Sequence, residues 1–266
     1  MNGRVLIVAG SDSGGGAGIQ ADIKTVTVLG GFAMTAVTAL TAQNTLGVHG
    51  VVGVEPEFIR QQIEVVVGDL GVDAIKTGML HSGPVIETVA GAIRDLTPGV
   101  PLVVDPVMVA KGGAPLLEPG AVDILRDTLL PMATIITPNL PEAGVLLDRD
   151  PPGRDGMADA AAALLALGPG AVLLKGGHLE GDDIVDLLAA GDAAPRRWTA
   201  KKIDTPHTHG TGCTLASAVA AGLAQGLALE AAVSRARDYV RSAILAAPGY
   251  GAGHGPLNHA HRIEPG

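Results

Sequence analysis

Arg4-Val5-Leu6-Ile7-Val8-Ala9-Gly10-Ser11-Asp12-Ser13-Gly14-Gly15-Gly16-Ala17-Gly18-Ile19-Gln20-Ala21-Asp22 decides the fold class. Residues 4–9 form an unbroken apolar run of strand length, rich in β-branched side chains. A run without polar alternation belongs to a strand covered on both faces. The glycine-rich stretch 10–18 reads as a loop. Residues 19–29 then carry Ile23, Val26 and Leu29 near helical spacing, and Gly30-Gly31 closes the helix.

The unit recurs outward from this start. Strands are expected at 32–40, 74–77, 101–104, 134–137 and 171–175, with helices at 57–70, 84–96, 121–129 and 157–167. Strands alternating with helices require right-handed crossovers and a mostly parallel sheet with helices on both faces. The expected fold is therefore a three-layer α/β/α sandwich. Residues 184–188 and 197–203 have no helix between them and read as an antiparallel extension at one edge. Residues 254–261 read as an irregular tail. A length of 266 residues and the lack of a low-complexity linker favour one domain, 1–266.

Composition narrows the function. Hydrophobic residues make up 47%, with 38 Gly and 18 Pro, which suits a compact enzyme with tight loops. A net charge of −9 without a Lys/Arg cluster argues against a nucleic-acid surface. Aromatics are only 2%, so a bound heterocycle must lie mainly between aliphatic side chains. No run reaches transmembrane length, so no membrane association is expected. The single cysteine rules out an internal disulfide and fits a reducing compartment, so a cytoplasmic location is expected.

In open α/β sheets, ligands bind beyond the carboxyl ends of the strands. Gly10, Thr41 to Asn44, Gly78-Met79, Asp105, Asn139 and Lys175-Gly176-Gly177 all follow expected strands. One further stretch belongs with them: His207-Thr208-His209-Gly210-Thr211-Gly212-Cys213-Thr214, running into an alanine-rich helix. A glycine turn at a helix start leaves backbone N–H groups free, a ready anion cradle. Cys213 sits in the first helical turn, a position expected to lower a thiol pKa. The same stretch also reads as a helix entry around a small buried cysteine.

Other motifs keep two readings. Gly16 to Ala21 matches the dinucleotide fingerprint G-x-G-x-x-[GA] but lacks the acid expected at the end of the next strand, which weakens an NAD-linked oxidoreductase. Asn139-Leu140-Pro141-Glu142 is a helix capping box or an amide–carboxylate pair aimed at a cation. Asp105 terminates a strand or faces a phosphate-bound Mg²⁺. Lys175 snorkels or reaches a phosphate. Gln43 caps a turn or pairs with an aminopyrimidine edge.

Together with Thr38 to Thr45, Gly78 to Leu80, Asp105 to Lys111, Thr137 to Ala143 and Lys175 to His178, these motifs resemble the hydroxymethylpyrimidine/phosphomethylpyrimidine kinases of thiamine biosynthesis, members of the ribokinase-like superfamily. The resemblance runs nearly end to end and in order. It implies an ATP- and Mg²⁺-dependent homodimer that phosphorylates 4-amino-5-hydroxymethyl-2-methylpyrimidine and then its monophosphate. It implies that Gln43 holds the pyrimidine edge, with Gly10, Asp22, Thr41, Met79 and Val107 around the ring. Gly210, Thr211 and Gly212 become the anion hole, and Cys213 stands near the accepting hydroxyl. Asn139, Lys175, Gly176 and Lys111 face the nucleotide, and Asp105 and Glu142, with Asn139, order the metal. Sugar kinases of the superfamily place Asp where Cys213 stands. A pyridoxal/pyridoxine kinase remains the alternative, together with a regulatory nucleotide-binding protein lacking turnover.

Overall fold

The computed structural model describes residues 1–263 apart from 111, 178, 180 and 192. The first half runs β1 (Arg4–Asp12), α1 (Gly18–Val28), β2 (Phe32–Asn44), β3 (Gly47–Gly53), α2 (Pro56–Leu70), β4 (Ala74–Thr77), α3 (Gly83–Leu96) and β5 (Leu102–Val104). The second runs α4 (Ala121–Ile124), β6 (Ile135–Ile136), α5 (Leu140–Leu146), α6 (Met157–Leu165), β7 (Ala171–Lys175), β8 (Asp183–Ala190), β9 (Arg196–Lys201), α7 (Thr211–Ala224) and α8 (Leu229–Leu245).

All nine strands form one sheet in the order β3-β2-β1-β4-β5-β6-β7-β8-β9. Strands β2, β1, β4, β5, β6 and β7 are parallel, while β3 at one edge and β8-β9 at the other are antiparallel. Alternate side chains of a strand point to opposite faces. Leu6 and Val8 therefore enter one core with Ile59, Ile63, Val85 and Ile86. Val5, Ile7 and Ala9 enter the other, with Val26, Leu215, Val219 and Val233. This is the expected three-layer arrangement. β1 lies between β2 and β4, so strand order reverses beside it and opens a crevice at its carboxyl end.

Four features differ from the sequence expectation. β1 and β2 run on past residues 9 and 40, because their pairing resumes after a bulge at Ala9/Ser11, with Ser11 opposite Leu40 and Asp12 opposite Thr41. The polar ends of both strands are thereby fixed in a ladder. β3 has glycine at positions 47, 50 and 53, a composition that hides a strand. The helix expected at 121–129 is α4 followed by a π turn (Leu125–Leu129) and a 3₁₀ turn (Leu130–Met132) that contains Pro131. α8 has no counterpart in the expectation, although it is an amphipathic helix that buries Ala232, Val233, Ala236, Tyr239 and Ala243 on one face.

Candidate active site

The loop after β1 closes on its own carboxylate. Asp12 Oδ1 accepts from the N–H of Gly14 (2.8 Å), and Oδ2 accepts from Gly16 (3.0 Å) and Ala17 (2.8 Å). His209 Nε2 is also 2.8 Å from Oδ2, which ties this loop to the entry of α7. Burial pushes the Asp12 carboxyl upward, but His209 and these N–H groups outweigh it and hold it below its ordinary value. Gly16 and Ala17, which open the apparent dinucleotide fingerprint, thus direct their N–H groups at Asp12 and not at a pyrophosphate.

Beneath the crevice, Lys76 and Asp22 form a fully buried ion pair, with Nζ 3.0 and 2.8 Å from the two carboxylate oxygens. Ser217 on α7 donates to Asp22 Oδ1 at 2.7 Å. Burial raises the Asp22 carboxyl against the pull of Lys76 and Ser217. On Lys76, burial acts downward, but Asp22 and the acidic groups nearby carry the net shift upward. Both side chains are inaccessible to solvent, so Asp22 lies under the crevice floor and not on its surface. Lys76 escapes the motif reading altogether. Its signal is a lysine inside a four-residue strand that is buried throughout, which obliges a carboxylate to sit nearby.

α7 begins with Gly210 at φ +84, and a Cβ there would strike the carbonyl of Gly16. A side chain at 210 would therefore force the two loops apart. Among the described residues, the N–H groups of Gly212 and Cys213 meet no acceptor, and they lie at the positive end of a 14-residue helix. A Cβ on Gly212 would come 3.3 Å from Lys175 Nζ and 3.4 Å from Asp105 Oδ2, so this backbone faces both groups. Thr214 Oγ1 bonds the Gly210 carbonyl at 2.8 Å and His259 Nε2 at 2.9 Å. The tail that sequence reads as irregular is irregular but packed, with His259 4% exposed.

The thiol of Cys213 corrects an expectation. A helix start should lower its pKa, yet burial pushes it up to about 11. Asp22 and Asp105 add to the rise, while Lys76 and the Gly18 N–H oppose it. Desolvation and neighbouring carboxylates outweigh the helix dipole here.

The ends of β5, β6 and β7 bring the remaining charges together. Lys175 Nζ is 3.1 Å from Asp105 Oδ1, which also accepts from Thr137 Oγ1 at 3.0 Å. Asn139 and Glu142 form the capping box of α5: Asn139 Oδ1 accepts from the Glu142 N–H, and Glu142 Oε2 from the Asn139 N–H, each at 2.8 Å. Burial raises the Glu142 carboxyl to about 7, and the charge of Asp105 adds to this against Lys175. For Lys175 burial is a downward pull that Asp105 and Glu142 overcome, so its ammonium is retained. The Gly176 N–H donates to Asp186 Oδ1 at 3.1 Å, and Asp186 is held in turn by Arg237.

On the opposite side, Thr41 Oγ1 lies 2.9 Å from the Ser11 carbonyl and 3.1 Å from the Gln43 side chain. Gln43, Gly47, Ala110, Gly112, His209 and His254 line a shallow cleft. Val107 lines a neighbouring hollow with Thr77, Gly78 and Asp105. Met79 is buried, and its sulfur stands against Gly10. Lys111 and His178 lie outside the described residues. The structure thus gathers Gln43, Thr41 and Gly10 on the β1–β2 side, and Gly212, Cys213, Asp105 and Lys175 across the crevice. Asp12, His209 and Thr137, which lie in the quoted motif stretches without an assigned role, join them together with Ser217.

The phosphomethylpyrimidine kinase family model matches residues 12–258. A hydroxymethylpyrimidine/phosphomethylpyrimidine kinase from Streptomyces coelicolor is 51% identical over 96% of this chain and 93% of its own length. A thiamine biosynthesis bifunctional protein from Geobacter sulfurreducens is also 51% identical, over 98% of the chain, and the chain spans about half (53%) of that larger protein. Among solved structures, a phosphomethylpyrimidine kinase from Clostridium difficile superposes with TM-score 0.80 at 40% identity, covering 91% of this chain and 99% of that one. An ADP complex of Bacillus subtilis pyridoxal kinase superposes with TM-score 0.90 at 37% identity, covering 99% of this chain and all of that one. With a family model that reaches from the end of β1 to the packed tail, and relatives about half identical over almost their whole length, this chain is a member of the phosphomethylpyrimidine kinase family.

Proposed function

We propose that the chain transfers the γ-phosphoryl group of ATP to the hydroxymethyl group of 4-amino-5-hydroxymethyl-2-methylpyrimidine, and then to the phosphate of the resulting monophosphate. The supporting observation is the convergence at one rim of free N–H groups, Cys213, the Lys175–Asp105 pair and the Gln43 amide. Phosphoryl transfer needs an aligned acceptor, charge stabilisation and a group that takes the hydroxyl proton. Backbone N–H groups of Gly212 and Cys213 face the transferring oxygens, and Lys175 meets the polyphosphate. Cys213 Sγ takes the proton from the acceptor alcohol. Asp22, held by Lys76 under the floor, supports the position of α7 through Ser217. The assay is ADP release with the pyrimidine as acceptor; tight ATP binding without turnover would sink the reading.

Two carboxylates with one lysine between them leave room for a further cation. Among the described residues no cluster of three His, Cys, Asp or Glu side chains forms an all-protein metal cage. Mg²⁺ uses such sparse sites, with one or two carboxylates, waters and substrate phosphates. Asp105 and Glu142 would hold it, and the ion would neutralise charge developing on the phosphates. Glu142→Gln keeps a capping side chain but loses this charge. The Mg²⁺ concentration for half-maximal rate is expected to rise about tenfold or more, with thermal stability little changed. An unaltered magnesium titration with a lowered Tm would make Glu142 a cap only.

Gln43→Ala tests the acceptor side. Loss of a paired amide against a buried heterocycle costs about 1–3 kcal/mol, so KM for the pyrimidine should rise about 5- to 150-fold while KM for ATP stays put. Unchanged pyrimidine kinetics would remove Gln43 from the site.

The same crevice supports pyridoxal as a second acceptor, in view of the likeness to pyridoxal kinases over 99% of the chain. Pyridoxal-dependent ADP release measured beside the pyrimidine assay decides its weight. The proposal also takes 1–266 as one catalytic domain acting as a homodimer in the cytoplasm. Leu40 and Val52, paired across β2–β3 and 53% and 66% exposed, support a second copy at that edge. Sedimentation of the purified chain tests it. No helix among the described residues is long and apolar enough to cross a membrane.

A further inference from the structure

The contacts around Gln43 ask for one orientation of its amide. His209 Nε2 lies 2.8 Å from Asp12 Oδ2, and a carboxylate oxygen has no hydrogen to give. Asp12, bound by three backbone N–H groups besides, is ionised, so Nε2 carries a proton and is a donor. One terminal atom of Gln43 stands 3.5 Å from this nitrogen. If that atom were the amide nitrogen, two donors would face each other. The other terminal atom stands 3.1 Å from Thr41 Oγ1, whose hydroxyl is also 2.9 Å from the Ser11 carbonyl. A threonine hydroxyl has one hydrogen, and Ser11 O can only accept. If the Gln43 atom at Thr41 were oxygen, that hydrogen would be claimed twice. The Thr41 conflict vanishes when the amide nitrogen faces Thr41, which then accepts from it while giving its own hydrogen to Ser11. The amide oxygen is left facing Nε2, whose one hydrogen goes chiefly to Asp12 at 2.8 Å and reaches Gln43 only at 3.5 Å. Amide orientation is settled by such networks, not by shape.

We propose that Thr41, its hydroxyl hydrogen committed to Ser11, is a positioning residue that locks the Gln43 amide, with His209, fixed by Asp12, as a weaker second latch, and so sets the donor–acceptor order offered to the substrate. The proposal rests on the pyrimidine reading above. A 4-aminopyrimidine presents an amine donor beside an accepting ring nitrogen. Its 4-oxo analogue presents the reverse, a carbonyl acceptor beside a ring N–H. A free amide could turn to suit either, whereas a locked one accepts only the first in a given pose. The lock converts a symmetric side chain into a reader of one functional group.

The experiment compares kcat/KM for 4-amino-5-hydroxymethyl-2-methylpyrimidine with that for its 4-oxo analogue, in wild type, His209→Ala, His209→Gln and Thr41→Val. The wild-type chain should favour the amine strongly. In Thr41→Val the preference should fall by about tenfold or more, and in His209→Ala by a smaller factor. Glutamine at 209 retains an N–H donor for Asp12 with a second hydrogen for Gln43, so His209→Gln should recover part of the preference. A merely structural role for His209 would lower both substrates alike and leave their ratio intact. An intact ratio in folded His209→Ala and in Thr41→Val overturns the lock, and Thr41→Val decides alone should His209→Ala fail to fold. A wild-type chain that phosphorylates neither pyrimidine refutes the functional reading instead, which keeps the two failures apart.

Discussion

Cys213→Ala is expected to cut kcat for the alcohol acceptor by about 10²–10⁴-fold, the usual worth of a general base, with little change in ATP affinity. α7 holds no Asp or Glu that could replace it. The pH profile sharpens the expectation. Burial raises the thiol to about 11, so below that value the reactive thiolate is the minor form. Its population rises about tenfold per pH unit, and wild-type kcat for the alcohol should climb with pH, whereas the alanine variant should give a flat profile. The second step differs, because a phosphate monoester has its second pKa near 6 and is already ionised. Its rate should depend weakly on pH and suffer less in the variant. Near wild-type kcat for the alcohol in Cys213→Ala would make Cys213 a packing residue and leave the backbone N–H groups as the principal catalyst.

Lys76→Met is the second large effect. Removing one partner of a buried ion pair leaves an uncompensated charge and costs about 3–5 kcal/mol, read from urea unfolding. Asp22 would lose its main counter-charge while remaining fully buried. Its carboxyl, already raised by burial, would rise further in the folded state and take up a proton on folding. A group of this kind binds more protons folded than unfolded, so stability falls as pH rises. The deficit of the variant should therefore shrink on acidification, between the raised folded value of Asp22 and its ordinary value of 3.8. The double variant Lys76→Met/Asp22→Leu should regain much of the loss. A single-variant cost below about 1 kcal/mol would show that Asp22 is neutralised without Lys76.

Periodicity carries the sheet's parallel core because β1 and β7 are uninterrupted apolar runs, and β7 spans 171–175 as expected. It carries less where side chains are small. The glycines of β3 supply little hydrophobic contrast, and the strand forms because β2 pairs with it. The candidate site divides in the same way. Gln43 and Lys175 stand at the carboxyl ends of β2 and β7, and Asp105 just past β5, where topology alone predicts a binding rim. Asp12 and His209 are 197 residues apart, and only the folded chain reveals that they meet. Local rules for Cys213 give the helix dipole but not the burial or the carboxylates around it, so they miss the sign of its pKa shift.

The packed tail also constrains the order in which the site can come into being. Residues 12–17 close the loop after β1, yet that loop is braced by His209, whose own N–H bonds the Gly255 carbonyl at 3.1 Å. Thr214 at the anion cradle leans on His259, whose carbonyl accepts from Tyr239 at 2.7 Å. A nascent chain leaves the ribosome at about 5–20 residues per second, amino terminus first. The central strands are therefore made well before the segment that braces their loops. Until residues near 259 emerge, the growing chain can own a sheet and a crevice but not a finished catalyst, so turnover cannot begin before that segment has been made.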